Sequence, residues 1–129
     1  MGKKEVLCLK TGIIVLSHGS RSPEAAITVR KIKEMVAQDS HFDAVEGAAL
    51  QFNQPDLPAM LGEMASRGME RVVVVPLFLY MGLHMKRDIP EILEEERAKY
   101  SQMEIVMTKN IGADKKIAEI VLDRIEEVE

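Results

Sequence analysis

Two of the three histidines in this chain are placed where they could share one chemical task. His18 directly follows a short, β-branched apolar run, and His84 comes shortly after the strongest strand pattern in the sequence. Neutral imidazoles are good ligands for divalent cobalt, nickel, iron or zinc. Neighbouring parallel strands would bring both side chains to one edge of a sheet. The pattern therefore allows a two-imidazole metal site or two unrelated loop histidines, whereas His41, in a polar turn, is expected to be solvated.

The segment that contains His18 also has features of an anion-binding turn. It runs from a strand end to a helix start as SHGSRS, residues 17–22. Gly19 permits a tight turn, the N-terminus of a helix favours an anion, and Arg21 adds a positive charge. The glycine spacing of the nucleotide-binding motifs is missing. A phosphate-binding enzyme is therefore an alternative, and a simple turn with a helix cap would explain the glycine and serine residues but not the histidine.

The segment that contains His84 is unusually apolar for a loop. It reads LYMGLHM over residues 79–85, and Lys86 and Arg87 follow at once. Such a segment either folds into the core or forms the wall of an apolar pocket. Methionine side chains adapt to irregular shapes, which suits a wall for a large flat ligand. An apolar surface beside cationic groups favours a ligand with an apolar ring and an acidic rim.

Composition restricts the class of protein. The chain has 129 residues, with 47% hydrophobic and 29% charged, which is typical of a single globular domain spanning residues 1–129. Its net charge of −4 argues against nucleic-acid binding. The single cysteine, Cys8, excludes an internal disulfide and favours a reducing compartment. No apolar run is long enough for a membrane span or a signal peptide, so we expect a cytoplasmic protein with no membrane partner.

Strand and helix patterns alternate along the chain. Apolar runs predict strands at residues 12–17, 43–50, 71–78 and 104–108. Cap residues predict helices that begin after Ser22, Asp56 and Asp114, and a further helix that opens at residues 88–90 and ends near Lys99. This order predicts an α/β fold with a parallel four-stranded sheet and helices on both faces. Ligands in such folds bind beyond the carboxyl ends of the strands, where both histidines are expected.

Several motifs in order resemble the small CbiX-type class II chelatases. They are HGSR at residues 18–21, VVVPLFL at 73–79, Gly82-x-His84, DIP at 88–90 and IGAD at 111–114. The resemblance implies a flavodoxin-like, chelatase-like sheet and the insertion of Co²⁺ or Ni²⁺ into sirohydrochlorin. Related enzymes insert iron. It also implies that a chain of this length is a homodimer, because longer relatives contain two fused copies.

The resemblance also implies roles for individual residues. His18 matches the metal-binding proton acceptor, and His84 matches the second metal ligand. Residues that match positions contacting the substrate are Arg21, Gln54, Leu79, Tyr80, Met81, Gly82, Leu83 and His84. Gln54 stands where some members have a substrate-binding carboxylate, Gln51 where another acid is frequent, and Met81 where several have histidine.

Histidine suits this chemistry because its ordinary pKa near 6.5 leaves it a neutral base around pH 7. Two imidazoles leave most coordination positions of a metal open to the four ring nitrogens. Together with this chemistry, the resemblance implies a sirohydrochlorin cobaltochelatase of cobalamin biosynthesis, with the divalent metal as substrate and no organic cofactor. Nickel or iron insertion is the alternative within the family. A metal or tetrapyrrole carrier without turnover is the non-catalytic alternative, because Gln51 and Gln54 stand at positions where some members of the family have acids.

Overall fold

The computed structural model describes residues 9–129, and in them four strands alternate with four helices. The strands are β1 (Thr11–Ser17), β2 (Ala44–Ala49), β3 (Arg71–Pro76) and β4 (Glu104–Met107). The helices are α1 (Pro23–Gln38), α2 (Leu57–Ser66), α3 (Leu83–Lys99) and α4 (Lys115–Glu126). The predicted alternation is confirmed, although β2, β3 and β4 are each one or two residues shorter than expected. Cys8 and the residues before it lie outside the described part.

The strands form one parallel sheet in the order β2-β1-β3-β4. In register, Ile13 of β1 lies between Val45 of β2 and Val73 of β3. The connection from β1 leads to β2 on one side of the sheet, and the connection from β3 leads to β4 on the other side. This reversal between β1 and β3 creates a crevice at their carboxyl ends, the usual place for a ligand in open α/β sheets.

The main core fills one face of the sheet. Ile14 and Leu16 of β1 and Val72 and Val74 of β3 are fully buried there. They pack against buried side chains of α2 and α3, which are Leu57, Met60, Leu61, Met64, Ile89 and Leu93. The opposite face carries α1, whose Val29 lies close to Gly47 of β2. Helices therefore cover both faces, as the sequence predicts.

Three of the predicted helix starts are confirmed, two of them with side-chain caps. The Asp56 carboxylate accepts a hydrogen bond from the Ala59 backbone N–H at 2.9 Å, and that of Asp114 accepts one from Lys116 at 2.8 Å. Ser22 occupies the N-cap of α1 without a side-chain hydrogen bond, and Pro23 follows it. These local signals are sufficient to predict where the three helices begin, because each acts within one helical turn.

The predicted start of α3 is wrong. The helix begins at Leu83 rather than near Asp88, so His84 lies in a first helical turn and Pro90 lies inside the helix. The turn closes with a hydrogen bond from the Lys86 N–H to the Gly82 carbonyl at 3.1 Å. Met85 packs against the core, so burial of its side chain stabilises this additional turn. The sequence predicted a helix start at residues 88–90 because proline is over-represented at the first position of a helix.

Candidate metal and tetrapyrrole site

His18 lies at the crevice between β1 and β3. It directly follows β1, and its side chain is exposed. On one side, its Nδ1 is 3.3 Å from the amide nitrogen of Gln51, which belongs to the loop after β2. On the other side, the ring of Phe78 approaches edge-on, with ring centroids 6.2 Å apart. The segments that follow the two neighbouring strands, β2 and β3, therefore each contribute a residue that contacts this imidazole.

Three consecutive residues of the loop after β1, residues 19–21, contact the loop after β2. The Ser20 backbone N–H donates to Oδ1 of Asn53 at 2.9 Å, and the Arg21 guanidinium lies 4.8 Å from the centre of the Phe52 ring. Gly19 has a φ of +91° and packs against the backbone of Gln51, where no β-carbon would fit. The glycine is therefore required by its conformation and by this close approach.

Arg21 remains exposed at this edge of the sheet. Its central carbon Cζ lies over the Phe52 ring, so the cation contacts the aromatic face while the side chain stays exposed. A guanidinium in this arrangement can bind a carboxylate at its edge. Anion binding by this loop stays a prediction, and Arg21 is the side chain that would carry it.

The apolar segment after β3 divides between the core and the surface. Met81 and Met85 pack against the core, whereas Leu79, Tyr80 and Leu83 are 57%, 81% and 88% exposed. The Asn110 side chain anchors the segment by donating to the Leu79 carbonyl at 3.1 Å. The core interpretation is therefore confirmed for the two methionines. The exposed members offer apolar surface, and their role as the wall of a pocket stays a prediction.

His84 lies at the start of α3, exposed, and Gly82 precedes the helix as its N-cap. His18 and His84 follow adjacent strands at the same edge of the sheet, as predicted. A shared metal site between them stays a prediction. Within residues 9–129, no group of three or more His, Cys, Asp or Glu side chains is arranged to hold a metal ion. His41 is exposed and stacks on Phe42, in agreement with a solvated role.

A cavity of about 440 Å³ opens beside His18, between α1 and β2. Gln54 also lines it, so the structure brings these two predicted site residues together. Its walls include a group of small residues, which are Ala25, Ala26, Gly47, Ala48 and Ala49. The apolar residues 79–84 do not line this cavity. The sequence reading missed it, although the run of small residues at the end of β2 was a visible signal.

Charged residues close the far end of this cavity. Glu46 lies between Lys33, at 3.7 Å, and Arg67, at 3.0 Å. The hydrogen bond to Glu46 is the main cause that raises the pKa of Arg67, and Glu63 at 3.2 Å adds to it. Arg67 follows α2 and Lys33 belongs to α1, so this network ties both helices to β2.

Comparison with known proteins agrees with the geometry of this edge. The CbiX family model matches residues 12–128. The sirohydrochlorin cobaltochelatase of Sulfurisphaera tokodaii is 36% identical over 117 residues, covering 91% of this chain and 92% of that protein. The protein of the same name from Methanopyrus kandleri is 35% identical over 135 residues, covering 89% of this chain and 94% of that protein.

Solved structures show the same fold. A cobalamin biosynthesis CbiX protein from Marinobacter aquaeolei has a TM-score of 0.78 and 27% identity, covering 91% of this chain and 95% of that one. The sirohydrochlorin chelatase SirB of Bacillus subtilis, in complex with cobalt, has a TM-score of 0.86 and 26% identity. That match covers 93% of this chain but 51% of the SirB chain. No helix among residues 9–129 is long and apolar enough to cross a membrane.

The family match extends over nearly all of the described residues, and the relatives agree with it in sequence and in fold. Two of the motifs that predicted this family lie at or near the carboxyl edge of the sheet: residues 18–21 directly follow β1, and Gly82 and His84 lie at the start of α3, in the connection that follows β3. This chain belongs to the CbiX family.

Proposed function

We propose that this chain is a sirohydrochlorin cobaltochelatase, which inserts Co²⁺ into sirohydrochlorin on the route to cobalamin. The observation that carries the proposal is the exposed imidazole of His18 at the β1–β3 crevice, beside an exposed apolar surface. The names of the curated relatives support the same reaction and the same metal. The proposed unit is one domain, residues 1–129, with a divalent metal as substrate and no organic cofactor.

His18 and His84 have separate roles in the proposed reaction. Two protons must leave the inner pyrrole nitrogens as the metal enters the ring. His18 and His84 each bind the metal through one imidazole lone pair. As the ring nitrogens take over the metal, the lone pair freed on His18 accepts the protons one at a time and passes each to solvent. Two imidazoles hold the ion loosely enough that the four ring nitrogens can replace them, whereas a closed four-ligand site would retain it.

The macrocycle is expected to lie on the exposed residues of the segment after β3. Leu79, Tyr80 and Leu83 offer apolar area at the edge of the crevice, with Met81, Gly82 and His84 in the same segment. The carboxylates of the substrate would meet the guanidinium of Arg21 and the amide of Gln54. Lys86 and Arg87 follow in the first turns of α3 and add positive charge.

A second copy of the chain is expected to complete the enclosure as a homodimer. None of the residues of α4 is buried, and Ile120, Val121 and Ile125 are 47–53% exposed on one side of the helix. Such an apolar stripe normally packs against another element. The two SirB chains are about twice as long, since the match covers 51% and 48% of them. Dimerisation through α4 would provide a comparable amount of protein around the substrate.

The alternatives differ in what they predict for turnover and for the metal. Insertion of Ni²⁺ or Fe²⁺ would leave the same site in use, and one SirB structure contains Fe³⁺. A carrier would bind one metal or one ring per site and then stop. The expected location is the cytoplasm, in keeping with the single cysteine of the sequence.

The decisive experiment follows sirohydrochlorin by visible absorbance, with purified protein and Co²⁺, Ni²⁺ and Fe²⁺ compared at equal concentrations. We expect many turnovers per site and the highest rate with Co²⁺. His18→Ala should abolish turnover and weaken metal binding together, whereas His84→Ala should first raise the metal concentration required. His41→Ala is the matched control and should behave as the unmodified protein. Saturation at one equivalent would support the carrier instead.

A further inference from the structure

We propose that Gln51 is a positioning residue, whose side-chain amide holds the His18 ring so that Nε2 faces the substrate. This inference rests on the proposed function, because it concerns the imidazole assigned to metal binding and proton transfer. The amide of Gln51 lies 3.3 Å from Nδ1 of His18. With Nδ1 engaged, Nε2 is the ring nitrogen left to react.

The His18 ring is held from two directions. Gln51 contacts it from the loop after β2, and the Phe78 ring approaches from the segment after β3 at an interplanar angle of 69°. An exposed histidine would otherwise sample several rotamers. The aromatic contact limits the tilt of the ring, and the hydrogen bond selects which nitrogen faces the protein. The two contacts together therefore define one orientation of the imidazole.

The backbone that carries Gln51 is itself fixed. The Gln51 carbonyl accepts a hydrogen bond from the Asn53 N–H at 2.8 Å, and the preceding residue, Leu50, donates to the Ser17 carbonyl at 3.0 Å. Gly19 packs directly against the Gln51 backbone. Gln51 is therefore attached to the residues on either side of His18, so its amide reaches Nδ1 from a constant position.

An amide has the chemistry that this task requires. A neutral imidazole has one N–H and one lone pair, so binding a metal through Nε2 places the proton on Nδ1. That N–H then needs an acceptor. The amide presents its nitrogen to Nδ1 in this structure, and a half-turn about the Cγ–Cδ bond presents Oε1 instead. Gln51 can thus donate a hydrogen bond to Nδ1 before Nε2 binds the metal and accept one from Nδ1 afterwards.

The test compares Gln51→Met, which keeps the length of the side chain but removes the hydrogen bond, with Gln51→Glu, which keeps an acceptor. We expect Gln51→Met to lower kcat for cobalt insertion about 10- to 100-fold, the usual effect of losing a partner of a ligating histidine. KM for sirohydrochlorin should change less than about twofold, and Gln51→Glu should restore much of kcat. Gln102→Met, at an exposed turn, is the matched control and should match the unmodified protein.

A second readout does not depend on activity. Nitrogen-15 NMR of the His18 ring, at a pH where the ring is neutral, reports which nitrogen carries the proton, and His18→Ala identifies the signals among three histidines. We expect Gln51→Met to change the tautomer balance of His18 alone. Unchanged ring signals, or a loss confined to KM, would overturn the positioning role. If the protein has no chelatase activity but the ring signals change, the proposed function fails while the contact between Gln51 and His18 stands.

Discussion

Gln54 lines the cavity beside His18. It does not cap α2, because the N-cap of that helix is Asp56. An uncharged amide there can donate hydrogen bonds to a substrate carboxylate, whereas an ionised glutamate would repel it. We therefore expect Gln54→Glu to raise KM for sirohydrochlorin about fivefold, or about 1 kcal/mol, with little change in kcat for Co²⁺. Steady-state kinetics with Co²⁺ and Ni²⁺ measures both constants.

Two other outcomes for Gln54→Glu would change the interpretation. Equal constants in the variant and the unmodified protein would mean that the Gln54 side chain does not contact the substrate. A large rise in kcat would mean that the natural chain lacks a catalytic acid, and this result would favour the carrier. Gln38→Glu, at the exposed end of α1, provides the matched control for the added charge.

At the scale of elements, the two loops that meet around Gly19 act as one unit. Gly19→Ala would place a β-carbon against the Gln51 carbonyl and force a left-handed conformation on alanine. We expect the free energy of unfolding to fall by roughly 2–4 kcal/mol, from backbone strain and overpacking together. Urea unfolding at a fixed protein concentration measures the change. Cobalt insertion should also fall, since the Gln51 backbone must move away.

Gly112→Ala separates the two causes of this loss. Gly112 also has a positive φ, of 69°, but a β-carbon there would meet no atom closer than 3.9 Å. Its substitution should therefore cost only the strain, about 1–2 kcal/mol. If both alanine variants lose the same stability, the close packing of Gly19 on Gln51 contributes nothing measurable.

At the scale of the whole molecule, α4 is the element that packs least. Val121 lies in its apolar stripe, and Glu119 lies on the opposite side of the helix. In the proposed homodimer, Val121→Lys should convert the dimer to a monomer and lower chelatase activity, because a buried lysine would lose its hydration. Glu119→Lys adds the same side chain on the other side and should remain a dimer. Light scattering and the activity on dilution measure both variants.

A fully active monomer at nanomolar concentration would contradict the dimer. Dissociation of both variants would instead mean that charge, and not the apolar stripe, controls association. Loss of the dimer by Val121→Lys alone, with a matching loss of activity, would show that the site needs the second copy.

Features that depend on near neighbours in the chain could be predicted from the sequence. The strands, the caps at Asp56 and Asp114, and the position of His18 after β1 follow from patterns within a few residues. The start of α3 could not be predicted in this way, because Met85 extends the helix only by packing on a core assembled from distant segments. The cavity beside His18 depends in the same way on α1 lying over β2.

Local hydrophobic patterns and cap residues specify the element types and the position of His18 directly after β1, so these could be predicted from the sequence. The strand order β2-β1-β3-β4 could not, since pairing joins strands that are remote in the chain. That order places β1 between β2 and β3. His18 therefore contacts Gln51 on one side and Phe78 on the other, and neither contact could be deduced from spacing in the chain.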